Sequence, residues 1–133
     1  NRALQIATGD VVGVFDAEDE VHPRAPDRRR LEVPGDRADV VQGGVQLMNF
    51  ETSWWSLRNV LEYYFWFRSR LHSRALEVHP LGGNTVFVTR DRLEWSHGWD
   101  DQCLAEDCEL GVRLSSDGAK VVVATTPSTS PGT

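Results

Sequence analysis

Two kinds of apolar spacing alternate along this chain. Val11-Val12-Gly13-Val14-Phe15 is apolar on both faces, the pattern of a central parallel strand, and predicts one over residues 10–15. A second run, residues 40–48, predicts another strand, and Gly43-Gly44 inside it point to a bulge or a close backbone approach. Between residues 54 and 71 the period changes. Leu57, Val60, Leu61, Tyr64, Phe67 and Leu71 recur at three- and four-residue spacings, which predicts a long helix. Trp55, Tyr63, Phe65 and Trp66 lie off that face, so the helix is too apolar for one packing surface. Its surplus calls for further protein, an acceptor chain or a membrane interface.

Shorter elements fill the remainder. Residues 1–8 read as a helix stopped by Gly9, and Arg28-Arg29-Arg30-Leu31 as about two helical turns confined by Pro26 and Pro34. Pro80-Leu81-Gly82-Gly83-Asn84 is a glycine turn entering a short strand that reaches Val88. Gly98-Trp99-Asp100 is another turn. Residues 107–116 predict a helix with Leu110, Gly111 and Leu114 on the face of Asp107, closed by Gly118, and residues 120–124 a last strand. Strands alternating with helices place the chain in the α/β class with a mostly parallel sheet. Residues 1–124 form the folded part, and the Ser-, Thr-, Pro- and Gly-rich residues 125–133 an unstructured tail.

Composition narrows the function without naming it. At 133 residues the chain is one domain at most. A net charge of -6 argues against bulk binding to nucleic acid or to anionic lipid. No stretch is long and uncharged enough to span a bilayer, since Arg58, Glu62, Arg68 and Arg70 interrupt the most apolar segment. Cys103 and Cys108 fit neither a redox pair nor a zinc pattern, and His22, His79 and His97 are too scattered for a zinc site. The chain opens without an initiator Met, on what reads as a truncated helix, so a segment of a longer protein is expected.

The candidate chemistry is carboxylate chemistry. Asp16, Glu18 and Asp19 crowd just past the end of the first strand, where open α/β sheets bind ligands. Carboxylates packed together repel one another, and a hard divalent cation on oxygen ligands offsets that repulsion. A solvated acidic turn is the plain alternative. Glu106-Asp107 opens the later helix, where acids also simply favour the positive end of the helix dipole.

Taken in order, these segments resemble family-2 glycosyltransferases, most closely the processive and membrane-associated inverting enzymes of the cellulose synthase-like group. The resemblance is carried by Ala7-Thr8-Gly9-Asp10, Phe15-Asp16-Ala17-Glu18-Asp19 with His22-Pro23, Val41-Gln42-Gly43, Leu81-Gly82-Gly83-Asn84, Gly98-Trp99-Asp100, and Ala105 through Leu114. No single motif is specific, but their order over a hundred or so residues is. The resemblance implies a partial GT-A domain, Rossmann-like in half, lacking its N-terminal nucleotide-binding strands. It implies transfer of a sugar from a nucleotide-sugar donor to a saccharide or lipid-linked hydroxyl acceptor, with inversion.

Residue by residue, Asp16, Glu18 and Asp19 look like the family's element that holds Mg²⁺ or Mn²⁺ on the donor diphosphate, with a spacing one residue longer than the simplest form. Glu106-Asp107 matches the family's Thr-Glu-Asp with Ala105 in place of Thr, which makes Asp107 resemble the general base and places Glu106 beside the acceptor. Gly82, Gly83 and Asn84 resemble the acceptor-side loop, and Trp99 and Asp100 a sugar subsite, although a core role suits Trp99 nearly as well. The family's base-recognition strands and its Gln-x-x-Arg-Trp motif do not occur in these residues, so the segment alone is expected to be inactive. The intact protein is expected at the cytoplasmic face of a membrane, without nucleic acid as a partner. Two other readings stand beside this one. One is a non-catalytic module that docks a partner through the aromatic helix of residues 54–71, and the other a Mg²⁺-dependent phosphate-handling enzyme of another α/β family.

Overall fold

A computed structural model describes residues 1–17, 21, 32–33, 36–44, 53–72 and 78–123. Within them, Arg2–Ile6 form helix α1, and strands β1 (Val11–Val14), β2 (Glu32–Val33), β3 (Asp36–Arg37) and β4 (Val40–Gln42) follow. Helix α2 (Trp54–His72), strand β5 (Val86–Thr89), helices α3 (Arg90–Trp95) and α4 (Glu106–Ser116) and strand β6 (Val121–Val123) complete the order. The class is α/β, as the alternation predicts.

The main sheet runs β1-β5-β4-β6. β4 and β6 pair in parallel, and β5 is antiparallel to both β1 and β4. Strands β1, β4 and β6 therefore point one way and β5 is the single reversed strand. Among the described residues β1 stands at the end of this sheet's order, with half-buried valines. The buried strands are β4 and β5, which have a neighbour on each side.

Alternation sorts the side chains into two layers. Val40, Val86 and Val88 face Leu81, Leu93, Leu110, Leu114 and Ala119, with Leu4, Val12, Trp99 and Val121 packed around them. Val41, Phe87 and Ala38 face the opposite way, beside Val11, Phe15 and Val122. Phe15 meets Phe87 edge to face, with ring centroids 5.5 Å apart. This period of two is what a pleated strand with two covered faces requires.

Helix α4 buries Leu110, Gly111 and Leu114 on one stripe. Acids at Glu106, Asp107 and Glu109 favour its N-terminus. At its end Gly118 adopts φ 78°, and two hydrogen bonds, Gly118 N–H to Ser115 O (3.0 Å) and Ala119 N–H to Leu114 O (2.9 Å), close a Schellman turn. α3 was not legible in the pattern, because Leu93 is its one buried residue and a single apolar position carries no period. Glu32–Val33 and Asp36–Arg37, the short β2–β3 antiparallel pair, likewise carry no strand period.

The long helix is present, yet much of its predicted apolar face stays in solvent. Trp54, Leu57, Leu61, Tyr64 and Phe65 are all exposed, and at 100° per residue they form one stripe. Val60, on the predicted face, and Ser56 are half-buried. Among the described residues no helix is long and apolar enough to cross a membrane. The Arg-rich stretch of residues 28–31, the strand residues 45–48, Glu18, Asp19, His22, Pro23 and the tail of residues 125–133 lie outside the described residues, as do the side chains of Tyr63, Trp66, Phe67 and Leu71.

Candidate active site

Register decides what can meet. Val14, Gln42, Val86 and Val123 lie in one row across the sheet, through the pairs Val14–Val86, Gln42–Val86 and Gln42–Val123. That row is the carboxyl end of β1, β4 and β6. Because β5 is reversed, the glycine turn that precedes Val86 falls on the same edge. Asp16, two residues beyond β1 and exposed, therefore shares an edge with Gly82, Gly83 and Asn84.

Asp107 reaches this edge from helix α4. A methyl group placed on Gly83 would lie 3.2 Å from Asp107 Oδ2, so the carboxylate rests against the bare backbone of the loop. Gly83 is exposed and Asp107 half-buried, which leaves the carboxylate open to a ligand approaching over the loop. The helix is set at this distance by Gly111, one turn further along the same face. A Cβ there would fall 2.4 Å from Leu81 N and 2.6 Å from His79 O, distances no carbon tolerates. Ser115 adds a polar link, accepting from His79 N–H (3.0 Å) and donating to Gly111 O (2.8 Å).

The loop is held from the sheet side by Gln42. Its Oε1 accepts from Gly82 N–H (2.7 Å), and its Nε2 donates to Gly43 O and Asn84 O (3.0 Å each). Gly43 lies against Thr85, donating its N–H to Thr85 O (2.7 Å), and a Cβ on Gly43 would overlap the Thr85 methyl at 2.3 Å. The close backbone approach expected at the paired glycines is found here, and β4 ends at it. Thr85 adopts φ 53°, a left-handed conformation uncommon for a β-branched residue.

A second cluster shapes the far side of α4. Arg113 forms a fork with Glu109 (Nε to Oε1 2.7 Å, Nη2 to Oε2 2.8 Å) and also donates to the carbonyls of Ser96 and Gly98, the latter at 2.9 Å. The Arg113 hydrogen bond holds the Glu109 carboxyl below its usual range, against the opposing pull of partial burial. A carboxyl depressed in the folded state stabilises the fold above its unfolded pKa, near 4.3, and loses that contribution as pH falls through the folded value. Glu109→Gln is therefore expected to lose under about 1 kcal/mol at pH 7, as for other partly exposed helical pairs, and to converge on wild type towards pH 3. Arg113→Ala also strands two carbonyls and is expected to lose on the order of 1–2 kcal/mol. Urea unfolding at both pH values measures this, and a Glu109→Gln deficit constant across pH would refute the pairing.

The comparisons with known proteins bear on the whole of this arrangement. The family model described as glycosyltransferase like family 2 matches residues 1–130. The chain belongs to this family. A β-monoglucosyldiacylglycerol synthase of Synechocystis sp. is 32% identical over 135 residues, covering 96% of this chain and 27% of the relative. Enzymes of the same name from Trichormus variabilis and Nostoc sp. are each 27% identical over 122 residues, covering 88% of this chain and 25% of their own length. The chain thus spans about a quarter of the curated relatives it matches.

Within this glycosyltransferase-family chain, the residues singled out from sequence fall into three groups. Asp107, Gly82, Gly83 and Asn84 are brought together. Asp16 shares their sheet edge, while Glu18 and Asp19 lie outside the described residues. Trp99, Asp100 and Glu106 stand apart from that contact. Trp99 packs against the core, its backbone paired with the Asn1 amide (Nδ2 to Trp99 O 2.7 Å, Trp99 N to Oδ1 3.0 Å). Asp100 accepts from Gln102 N–H (2.9 Å) in its own turn, and Glu106 is exposed at the first position of α4. Among the described residues no three His, Cys, Asp or Glu side chains gather as a metal site. The donor set at Asp16, with its neighbours Glu18 and Asp19 in sequence, is wholly carboxylate, which fits a hard cation and no soft one.

Gln42 and Arg113 fall within motifs of the resemblance but have no site role in the sequence reading. The available signal for Gln42 was a polar side chain at a position where the strand pattern demands an apolar one. For Arg113 it was the Glu-to-Arg spacing of four on a helix.

Proposed function

We propose that the protein carrying this chain transfers a hexose from a nucleotide-sugar donor to a hydroxyl acceptor, inverting the anomeric carbon. The observation that carries this reading is the Asp107 carboxylate lying against the exposed backbone of Gly83, on the sheet edge that also presents Asp16. Asp107 accepts the proton of the acceptor hydroxyl as its oxygen bonds to the anomeric carbon. The anomeric carbon–oxygen bond to the diphosphate breaks on the opposite face, and its electron pair leaves with the nucleotide. Gly82, Gly83 and Asn84 form the floor over which the acceptor approaches. Asp16, with Glu18 and Asp19, would hold Mg²⁺ or Mn²⁺, which would offset charge on the leaving diphosphate.

The acceptor in this proposal is lipid-linked or a saccharide. The relatives' name, with diacylglycerol in the product, supports the lipid, and the exposed stripe of α2 supports attachment of the whole protein to a membrane surface. We place that attachment at the cytoplasmic face.

The test is an assay of the full-length protein against a panel of nucleotide-sugars, with diacylglycerol vesicles or soluble saccharides as acceptors. Transfer is expected with Mg²⁺ or Mn²⁺, and loss of transfer with excess chelator or with Asp16→Ala. Full turnover in chelator would remove the metal from the mechanism. No transfer from any donor would overturn the function.

A further inference from the structure

We infer that Gln42 is a positioning residue that sets the gap between the glycine loop and Asp107, and through it the affinity for acceptor. The inference rests on the proposed reading of that loop as the acceptor floor. Gln42 is only 2% exposed and points into the same layer as Val40, where every strand neighbour is apolar. A primary amide buried there without partners is costly. It is retained with its donors and its carbonyl engaged, and every partner is backbone.

The orientation of the amide is unambiguous. Oε1 must face the Gly82 N–H, and the NH₂ must face the carbonyls of Gly43 and Asn84; a flipped amide would set donor against donor and oxygen against oxygen. These bonds hold the 81–82 and 84–85 peptides, which bracket Gly83. One fixes the N–H of Gly82 and another the carbonyl of Asn84, so the exposed residue between them is held at both ends. Helix α4 is registered separately, through Gly111 against His79 and Leu81. Gln42 thus controls one wall of the gap and α4 the other. It also occupies the Gly82 N–H, so that group is unavailable to an acceptor and the loop offers other atoms instead.

Two variants of the full-length protein separate positioning from bulk stability. Gln42→Met keeps the length of the side chain and removes its hydrogen bonds. Gln42→Glu keeps the shape and one acceptor but turns an oxygen toward two carbonyls. Both are expected to raise the acceptor KM roughly tenfold or more, the scale of losing a buried hydrogen bond, while donor KM stays within about threefold. In Gln42→Met, which alone removes the acceptor for Gly82, exchange of the Gly82 amide hydrogen is expected to accelerate at least tenfold while that of the Leu114 amide is unchanged. An unchanged acceptor KM, or donor and acceptor KM rising together, would overturn the inference. Should the wild-type protein transfer no sugar, the proposed function fails by itself, and an unaccelerated Gly82 amide would then overturn the clamp.

Discussion

Turnover of the intact protein is expected to fall by roughly 10²–10⁴-fold when Asp107 becomes asparagine, the usual scale for losing general acid–base help. The substitution is chosen to leave all else in place. Asparagine has the shape of aspartate, so the contact with Gly83 and the packing of α4 persist. The helix loses one of the three acids in its first turn, Glu106 and Glu109 remaining, at a cost of about 0.3–1 kcal/mol. Donor affinity and metal response should stay within a factor of two or three. The competing account, in which Asp107 merely complements the helix dipole, anticipates that small stability loss with near-normal turnover. Donor binding by calorimetry and initial rates on one preparation distinguish them. A variant that binds donor normally and turns over within a few-fold of wild type would remove Asp107 from the chemistry.

The largest structural effect is expected from Gly111→Ala. On an isolated helix this change would stabilise by about 1 kcal/mol, because alanine is the better helix former. Here the new methyl meets Leu81 N at 2.4 Å and His79 O at 2.6 Å, and backbone atoms cannot rotate away. Either α4 or the segment ahead of the glycine loop must shift. Overpacking of this kind costs about 1–3 kcal/mol, which outweighs the gain in propensity. The same shift carries Asp107 away from Gly83, so turnover should drop beyond what lost stability explains. Ser116→Ala, exposed on the same helix, is the control and should stay within about 0.5 kcal/mol. Urea unfolding read beside initial rates makes the comparison. A Gly111→Ala protein more stable than wild type would show that helix and loop do not approach so closely.

Local pattern was enough for most elements and for the identities of the acids. The spacing in α2, the Leu110, Gly111 and Leu114 stripe of α4, and the stop at Gly118 are short-range features, because a helix repeats its face every three or four residues and ends where a left-handed residue is cheap. The order of the motifs likewise sufficed to suggest the family. What no local pattern holds is which segments become neighbours. Whether Val11–Val14 lies at an edge or in the middle depends on the partners assembled beside it, since a run of valines reads the same in both places. The reversal of β5 carries the glycine turn to the edge where Asp16 and Gln42 lie, and it follows from how the sheet pairs. Gln42 meets Gly82 across forty residues, and Asp107 meets Gly83 from a separate helix. Such contacts arise only once the apolar layer around Val40, Leu81 and Leu110 has closed, because burial of that layer carries the polar groups at its rim into register.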